Sequence, residues 1–170
     1  MGIWGSPVGV SISEVGRNKV LISFKYKRKG LQILKNGPWS IRGNLINLKV
    51  WIQNVAIGEV DHTFLEFWIQ FHGVLLEFTN KEKARKIGEL LEIVEELEDP
   101  IRENVLARTF LRVRTAINVN RELATGFWME RDALPPTWIH FKYERLQDAY
   151  CMNCGIISHG KRECKILLLW

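Results

Sequence analysis

All three cysteines of the chain, Cys151, Cys154 and Cys164, lie close to its C-terminal end, and His159 falls among them. The spacing is C-x2-C-x4-H-x4-C, the pattern of a zinc knuckle. Three thiolates and one imidazole complete the closed tetrahedral shell that structural Zn2+ prefers, leaving no open position for a catalytic water. So short a segment cannot bury enough apolar surface to hold itself together, and a structural zinc supplies roughly 10–16 kcal/mol of apparent binding energy to small finger peptides. Buried free thiols are the plainer alternative, but that reading does not account for a His at the spacing that completes the site. A disulfide framework fits less well, because an odd cysteine count leaves one thiol over and no secretory leader is recognisable. A reducing compartment, nucleus or cytoplasm, is expected.

A metal site of this kind must be appended to something larger. The 170 residues, 46% hydrophobic and 25% charged, suffice for one medium domain and a small appendage. No apolar run approaches the roughly 18 residues needed to span a bilayer, so no membrane is expected; Ile166 to Trp170 is only a short apolar end. A formal net charge of +5 favours a polyanionic partner. Basic residues gather between Lys19 and Lys35 and between Arg102 and Arg121, whereas Glu89, Glu92, Glu95, Glu96, Glu98 and Asp99 form an acidic run best read as a solvated face. There is no Gly-rich phosphate loop, no H-E-x-x-H and no nucleophile motif, and His62, His72 and His140 lack a partner at signature spacing. An enzyme is not expected.

Alternation from Val8 to Phe24 around Gly16-Arg17-Asn18 predicts a β-hairpin. Residues 25–36, ending at Asn36-Gly37-Pro38, predict a short amphipathic helix, and Asn44–Ile52 the next strand. After a polar stretch, Glu66–His72 alternates as a strand. Asn80 then caps a helix carrying Ala84, Ile87, Leu90 and Leu91. Ile93–Leu97, Thr109–Val119, Phe127–Arg131 and Thr137–Tyr143 read as strands, with Pro135-Pro136 separating the last two. The order indicates an α+β fold with antiparallel sheet. Arg112 and Arg114 share one face of their strand, opposite Leu111, Val113 and Ile117, and are expected on a solvated or phosphate-contacting surface. Trp39, Trp51, Trp68, Trp128 and Trp138 are expected in the core.

The segments Leu21-Ile22-Ser23-Phe24, Gly37-Pro38-Trp39, Phe67-Trp68-Ile69-Gln70-Phe71-His72-Gly73, Ala84-Arg85-Lys86-Ile87-Gly88, Phe110-Leu111-Arg112-Val113-Arg114 and Tyr143-Glu144-Arg145-Leu146, followed directly by the knuckle, together resemble the plant retrotransposon Gag-like family. In that family a domain of unknown function precedes a CCHC zinc knuckle. The resemblance implies a Gag-like α+β domain over 1–146, with subunits at about 8–52 and 64–146, and a knuckle over 147–166. It further implies an RNA-recognition-like sandwich, here expected to be truncated at the N-terminus, and non-catalytic zinc-dependent binding of single-stranded RNA or DNA; it also admits self-association. Cys151, Cys154, His159 and Cys164 would hold zinc. Lys161, Arg162, Lys165 and Arg145 would contact phosphates, offsetting the negative charge of a three-thiolate site. Met152 replaces the family's usual aromatic, which leaves Tyr150 as the adjacent ring for base stacking. A protein-interaction module or an inactive transposon-derived fragment is the alternative.

Overall fold

The computed structural model describes residues 3–5, 8–146, 149–157, 159 and 161–165, and the chain divides into two compact units, residues 1–62 and 63–170. In the first unit β1 (Val10–Gly16) and β2 (Lys19–Phe24) pair antiparallel, with Ile12 opposite Ile22. Asn18 turns the chain between them at φ +57°, a conformation Asn tolerates better than most residues. Helix α1 (Lys27–Lys35) follows. It approaches β2 closely because Gly30 has no side chain; a Cβ there would lie 2.9 Å from the Phe24 ring. Ile33 is buried, the Trp39 indole donates to its carbonyl at 2.7 Å, and Trp4 packs its ring against both Phe24 and Trp39. This core is small, and Ile12 and Val20 remain exposed.

The strand expected over 44–52 is instead a short hairpin. β3 (Trp39–Ile41) and β4 (Asn44–Ile46) are joined by Arg42 and Gly43, both at positive φ. Residues 47–63 have no ladder partner among the described residues. Asn47 donates its amide to the His62 carbonyl, and Val50, Trp51 and Ile52 are exposed. Apolar composition alone does not make a strand where no neighbour accepts its hydrogen bonds.

The second unit contains β5 (Phe64–His72), α2 (Lys81–Leu91), β6 (Ile93–Glu98), β7 (Ile101–Arg102), β8 (Val105–Leu106), β9 (Leu111–Asn118), β10 (Gly126–Arg131) and β11 (Leu134–Tyr143). Five of these strands form one antiparallel sheet in the order β10-β11-β5-β9-β6. Period-two alternation sends Leu65, Phe67, Ile69 and Phe71 to one face, where they are buried with Leu111, Val113, Ile139 and Phe141. Helix α2, capped by the Asn80 side chain on the Lys83 N–H at 2.9 Å, lays Ala84, Ile87 and Gly88 on this face. Leu90 points out to solvent, against the expectation that it packs inward.

β7 and β8 form a hairpin that the sequence reading lacks. Each strand has two residues, and the turn uses Glu103 and Asn104 at positive φ, so neither alternation nor turn chemistry signals it strongly. Pro135 and Pro136 lie inside β11 rather than ahead of it. The ladder with β10 shifts register there, and no amide is needed where the pairing is irregular; Arg131 Nε donates instead to the Pro135 carbonyl at 2.7 Å.

The opposite face of the sheet is polar and is tied together by charge. Arg112 donates through Nε and Nη2 to the two Glu144 oxygens, each at 2.8 Å, and through Nη1 to Glu98 at 2.8 Å, with its guanidinium 4.0 Å above the Trp68 ring. Arg108 and Arg102 also reach Glu98, and Arg114 pairs with Glu66. The two strand arginines are therefore occupied by carboxylates, and part of the acidic run is their partner rather than a solvated face. Arg112 holds Glu144 below the ordinary carboxylate range. Glu98, which desolvation alone would raise, is lowered by hydrogen bonds from Arg112 and Arg108. The tryptophans divide as well: Trp39 and Trp68 are half-buried, but Trp51, Trp128 and Trp138 are exposed, contrary to the core placement expected of them.

Candidate metal centre

Cys151 and Cys154 are brought together by a tight turn. Gly155 N–H donates to the Cys151 carbonyl at 2.7 Å, and Cys151 N–H donates to the Ile156 carbonyl at 2.8 Å. Gly155 takes φ +75°, a conformation that L side chains rarely adopt, and a Cβ on it would also press within 3.3 Å of Glu122 Cβ. His159 then folds back so that its Nε2 lies 3.4 Å from Cys154 Sγ. One 3-10 turn, Lys161–Glu163, delivers Cys164.

The ligand atoms of Cys151, Cys154, His159 and Cys164 all lie within 4.8 Å of one another. For a tetrahedral zinc with Zn–S of about 2.3 Å and Zn–N of about 2.0 Å, a sulfur and a nitrogen ligand stand about 3.6 Å apart; the 3.4 Å between Cys154 and His159 matches that edge. Soft thiolates with one imidazole suit zinc rather than a hard, oxygen-seeking cation. The residues fit the metal. Around them Asn153 donates its backbone N–H to Cys151 Sγ at 3.4 Å and its side-chain amide to Cys164 Sγ at 3.3 Å, which disperses thiolate charge. Packed together as thiols, these groups oppose ionisation: desolvation, then hydrogen bonding with Cys151 and Cys164, raises Cys154 above its ordinary value. A divalent cation reverses that balance by stabilising the thiolates.

The knuckle is seated on the sheet unit. Leu123 N–H donates to the Gly155 carbonyl at 2.9 Å, and Glu122 forms an isolated antiparallel bridge with Ile156. Glu122 and Leu123 lie in the β9–β10 connection, which is also held by the Tyr143 hydroxyl on the Ala124 carbonyl at 2.8 Å and the Phe141 N–H on the Thr125 carbonyl at 2.9 Å. Cys151 is completely buried in this arrangement. Neither Asn153 nor this seat was identified from the sequence; the Gly directly after the second Cys is the one signal that a backbone approaches closely there.

Of the residues expected to contact nucleic acid, Arg162, Lys165 and Arg145 are exposed, and Tyr150 is half-buried. Arg145 adopts φ +60° just past β11. Lys161 belongs to the 3-10 turn, and its side chain lies outside the described residues, as do Ile166 to Trp170. Glu163 is exposed on the same turn and offsets part of the cationic charge.

Residues 133–166 match the family described as a zinc knuckle, and residues 1–59 match a domain of unknown function, DUF4283. The knuckle match begins upstream of the first cysteine and takes in β11. No curated protein and no solved structure matches the chain. A DUF4283 segment followed by a zinc knuckle with a clustered Cys3His set suggests zinc-dependent nucleic-acid binding.

Proposed function

We propose that the chain is a non-catalytic nucleic-acid-binding protein whose C-terminal knuckle, folded by Zn2+, contacts single-stranded RNA or DNA. The observation that carries this reading is the gathering of Cys151, Cys154, His159 and Cys164 into one closed donor set next to exposed cations. Bound zinc with three thiolates has a net charge of about −1. Arg162, Lys165, Arg145 and Lys161 supply the positive charge required before such a site approaches a polyanion. Contacts of this kind give weak, salt-sensitive and sequence-tolerant binding, because phosphates carry little base information. Tyr150 is the ring nearest the first cysteine for stacking on a base.

An RNA-recognition-like architecture is the second element of the proposal. Its support is a sheet covered on one face by α2 and open on the other, with α2 lying between β5 and β6 in the chain. A plant retrotransposon origin is the third. Its support is the order of the two matched segments together with the sequence resemblance.

The test is a zinc assay on protein purified without added metal, followed by titration of a labelled single-stranded oligonucleotide with and without chelator at two salt concentrations. One equivalent of zinc, with affinity that falls on chelation and with salt, is the expected result. Zinc bound at one equivalent without oligonucleotide binding overturns the reading in favour of a protein-interaction module or an inactive fragment.

A further inference from the structure

The β10–β11 hairpin presents a pair of indoles to solvent. Trp128 and Trp138 face each other directly across the ladder, with ring centroids 5.2 Å apart and planes inclined at 64°, and they are 64% and 38% exposed. Gly126 positions the pair. A Cβ on Gly126 would fall 2.6 Å from Trp138 Cζ2 and 2.1 Å from the Ile139 carbonyl oxygen, so the Trp138 ring lies across bare backbone. Soluble proteins do not usually leave two large rings uncovered side by side on a sheet, and such a patch marks a binding surface.

The rest of that face identifies the occupant. Side chains at i and i+2 of a strand share a face, which places His140 and Lys142 in line with Trp138. His72 is directly opposite His140 on β5. His72 stacks on Phe110 with centroids 4.9 Å apart and donates from Nε2 to Gln70 Oε1 at 2.9 Å. Desolvation first, then Lys142 and His140, holds His72 below its usual range; Lys142 is exposed, and its charge also lowers Glu144. Toward the centre of the sheet Arg112 and Arg114 are neutralised by Glu144, Glu98 and Glu66 and offer no charge to a phosphate. At the other end Glu130, near the end of β10, and Asp132, in the hairpin turn, are both exposed. Flat rings followed along the same strand by an exposed lysine suit a base stacked on an indole and its phosphate turned toward Lys142. They do not suit a large apolar protein partner.

We infer that the Trp128–Trp138 pair is a base-stacking platform for single-stranded nucleic acid, with Lys142 as its phosphate contact, placed on the β10–β11 hairpin rather than at the middle of the sheet. It rests on the nucleic-acid reading only for the class of ligand; it needs no zinc contact. Both parts belong to the same unit, and the β9–β10 connection that seats the knuckle leads directly into Gly126.

The test uses the full zinc-loaded chain, oligo(dT) and an abasic strand of the same length. Trp128→Ala lowers oligo(dT) affinity about fivefold or more, since each base stacked on an aromatic is sensitive to alanine substitution on that scale, and leaves abasic-strand binding unchanged; Trp128→Phe restores most of the loss. Lys142→Ala weakens both ligands and reduces the slope of log affinity against log salt by about one. Incorporation of 5-fluorotryptophan gives a readout in unmutated protein, in which the Trp128 fluorine resonance shifts on adding oligo(dT). Unchanged oligo(dT) affinity in Trp128→Ala, an equal loss for the abasic strand, or an unmoved Trp128 resonance overturns the inference. A change of oligomeric state in Trp128→Ala at constant oligo(dT) affinity overturns it in favour of a protein interface. Cys154→Ser separates the two readings. If that variant binds as tightly as the wild type while Trp128→Ala does not, the knuckle reading fails and the platform stands; the opposite pattern removes the platform alone.

Discussion

The five-stranded sheet and the knuckle seated on it reach order by opposite means. Phe67, Ile69, Phe71, Leu111 and Val113 are fully buried, so the sheet is held by the removal of apolar surface from water. In the knuckle Cys151 is the buried side chain among the described residues, and Met152 is largely exposed. Its four donor atoms converge on a point that fits one metal ion. The same chain thus contains one region with its own apolar core and another built around a donor set that fits a metal ion, and conditions that remove one support should leave the other standing.

The largest expected effect is chelation. Removing zinc, or substituting Cys154→Ser, withdraws on the order of 10 kcal/mol of apparent folding energy from the knuckle. Amide protection at Cys151, Gly155 and Leu123, all hydrogen-bonded in the seat, should be lost in hydrogen exchange while β5 and β9 keep theirs. Loss of sheet protection as well would show that the two regions fold as one. The converse experiment is Phe67→Ala, which should destabilise the sheet by about 3–5 kcal/mol in urea unfolding. In the absence of urea it should leave zinc stoichiometry at one.

Arg112→Met strands Glu144 and weakens Glu98 on the outer face, with an expected cost of about 2 kcal/mol. It also carries a pH signature. Glu144 and Glu98 are depressed in the folded state, so their contribution is present above the unfolded carboxylate value of about 4.3 and is lost as pH falls through their lower folded values. Melting temperature should therefore drop below pH 4 in the wild type and drop less in Arg112→Met; parallel curves would count against the network. The smallest effect is at the helix–sheet contact. Gly88→Ala gains about 1 kcal/mol of helix propensity but places a Cβ 2.8 Å from Val94 Cγ2 and 3.0 Å from Val113 Cγ1. Overpacking costs about 1–3 kcal/mol, so a net loss of about 1 kcal/mol is expected in the same urea assay.

The sequence disclosed these regions unevenly. The metal donors were legible because spacing alone constrains them, and β5 because Phe67, Ile69 and Phe71 alternate with polar neighbours under one covered face. The exposure of Trp128 and Trp138 was not legible. Their alternation says they share a face, but not whether a second element covers it. Nor could the partners of Arg112 be read locally, since Glu98 and Glu144 come from chain segments that only the sheet order brings alongside. The β7–β8 hairpin is too short for period-two alternation to register, and residues 47–52 have strand composition but no ladder partner among the described residues.

The bond from Leu123 to the Gly155 carbonyl has a mechanical meaning. A finger on a loose tether searches a volume, and each of its encounters with a strand is independent of whatever the rest of the protein is holding. A finger pinned to the root of β10 keeps a fixed bearing toward the hairpin. With both acting as proposed above, a nucleotide captured by one would raise the effective concentration of its neighbours at the other.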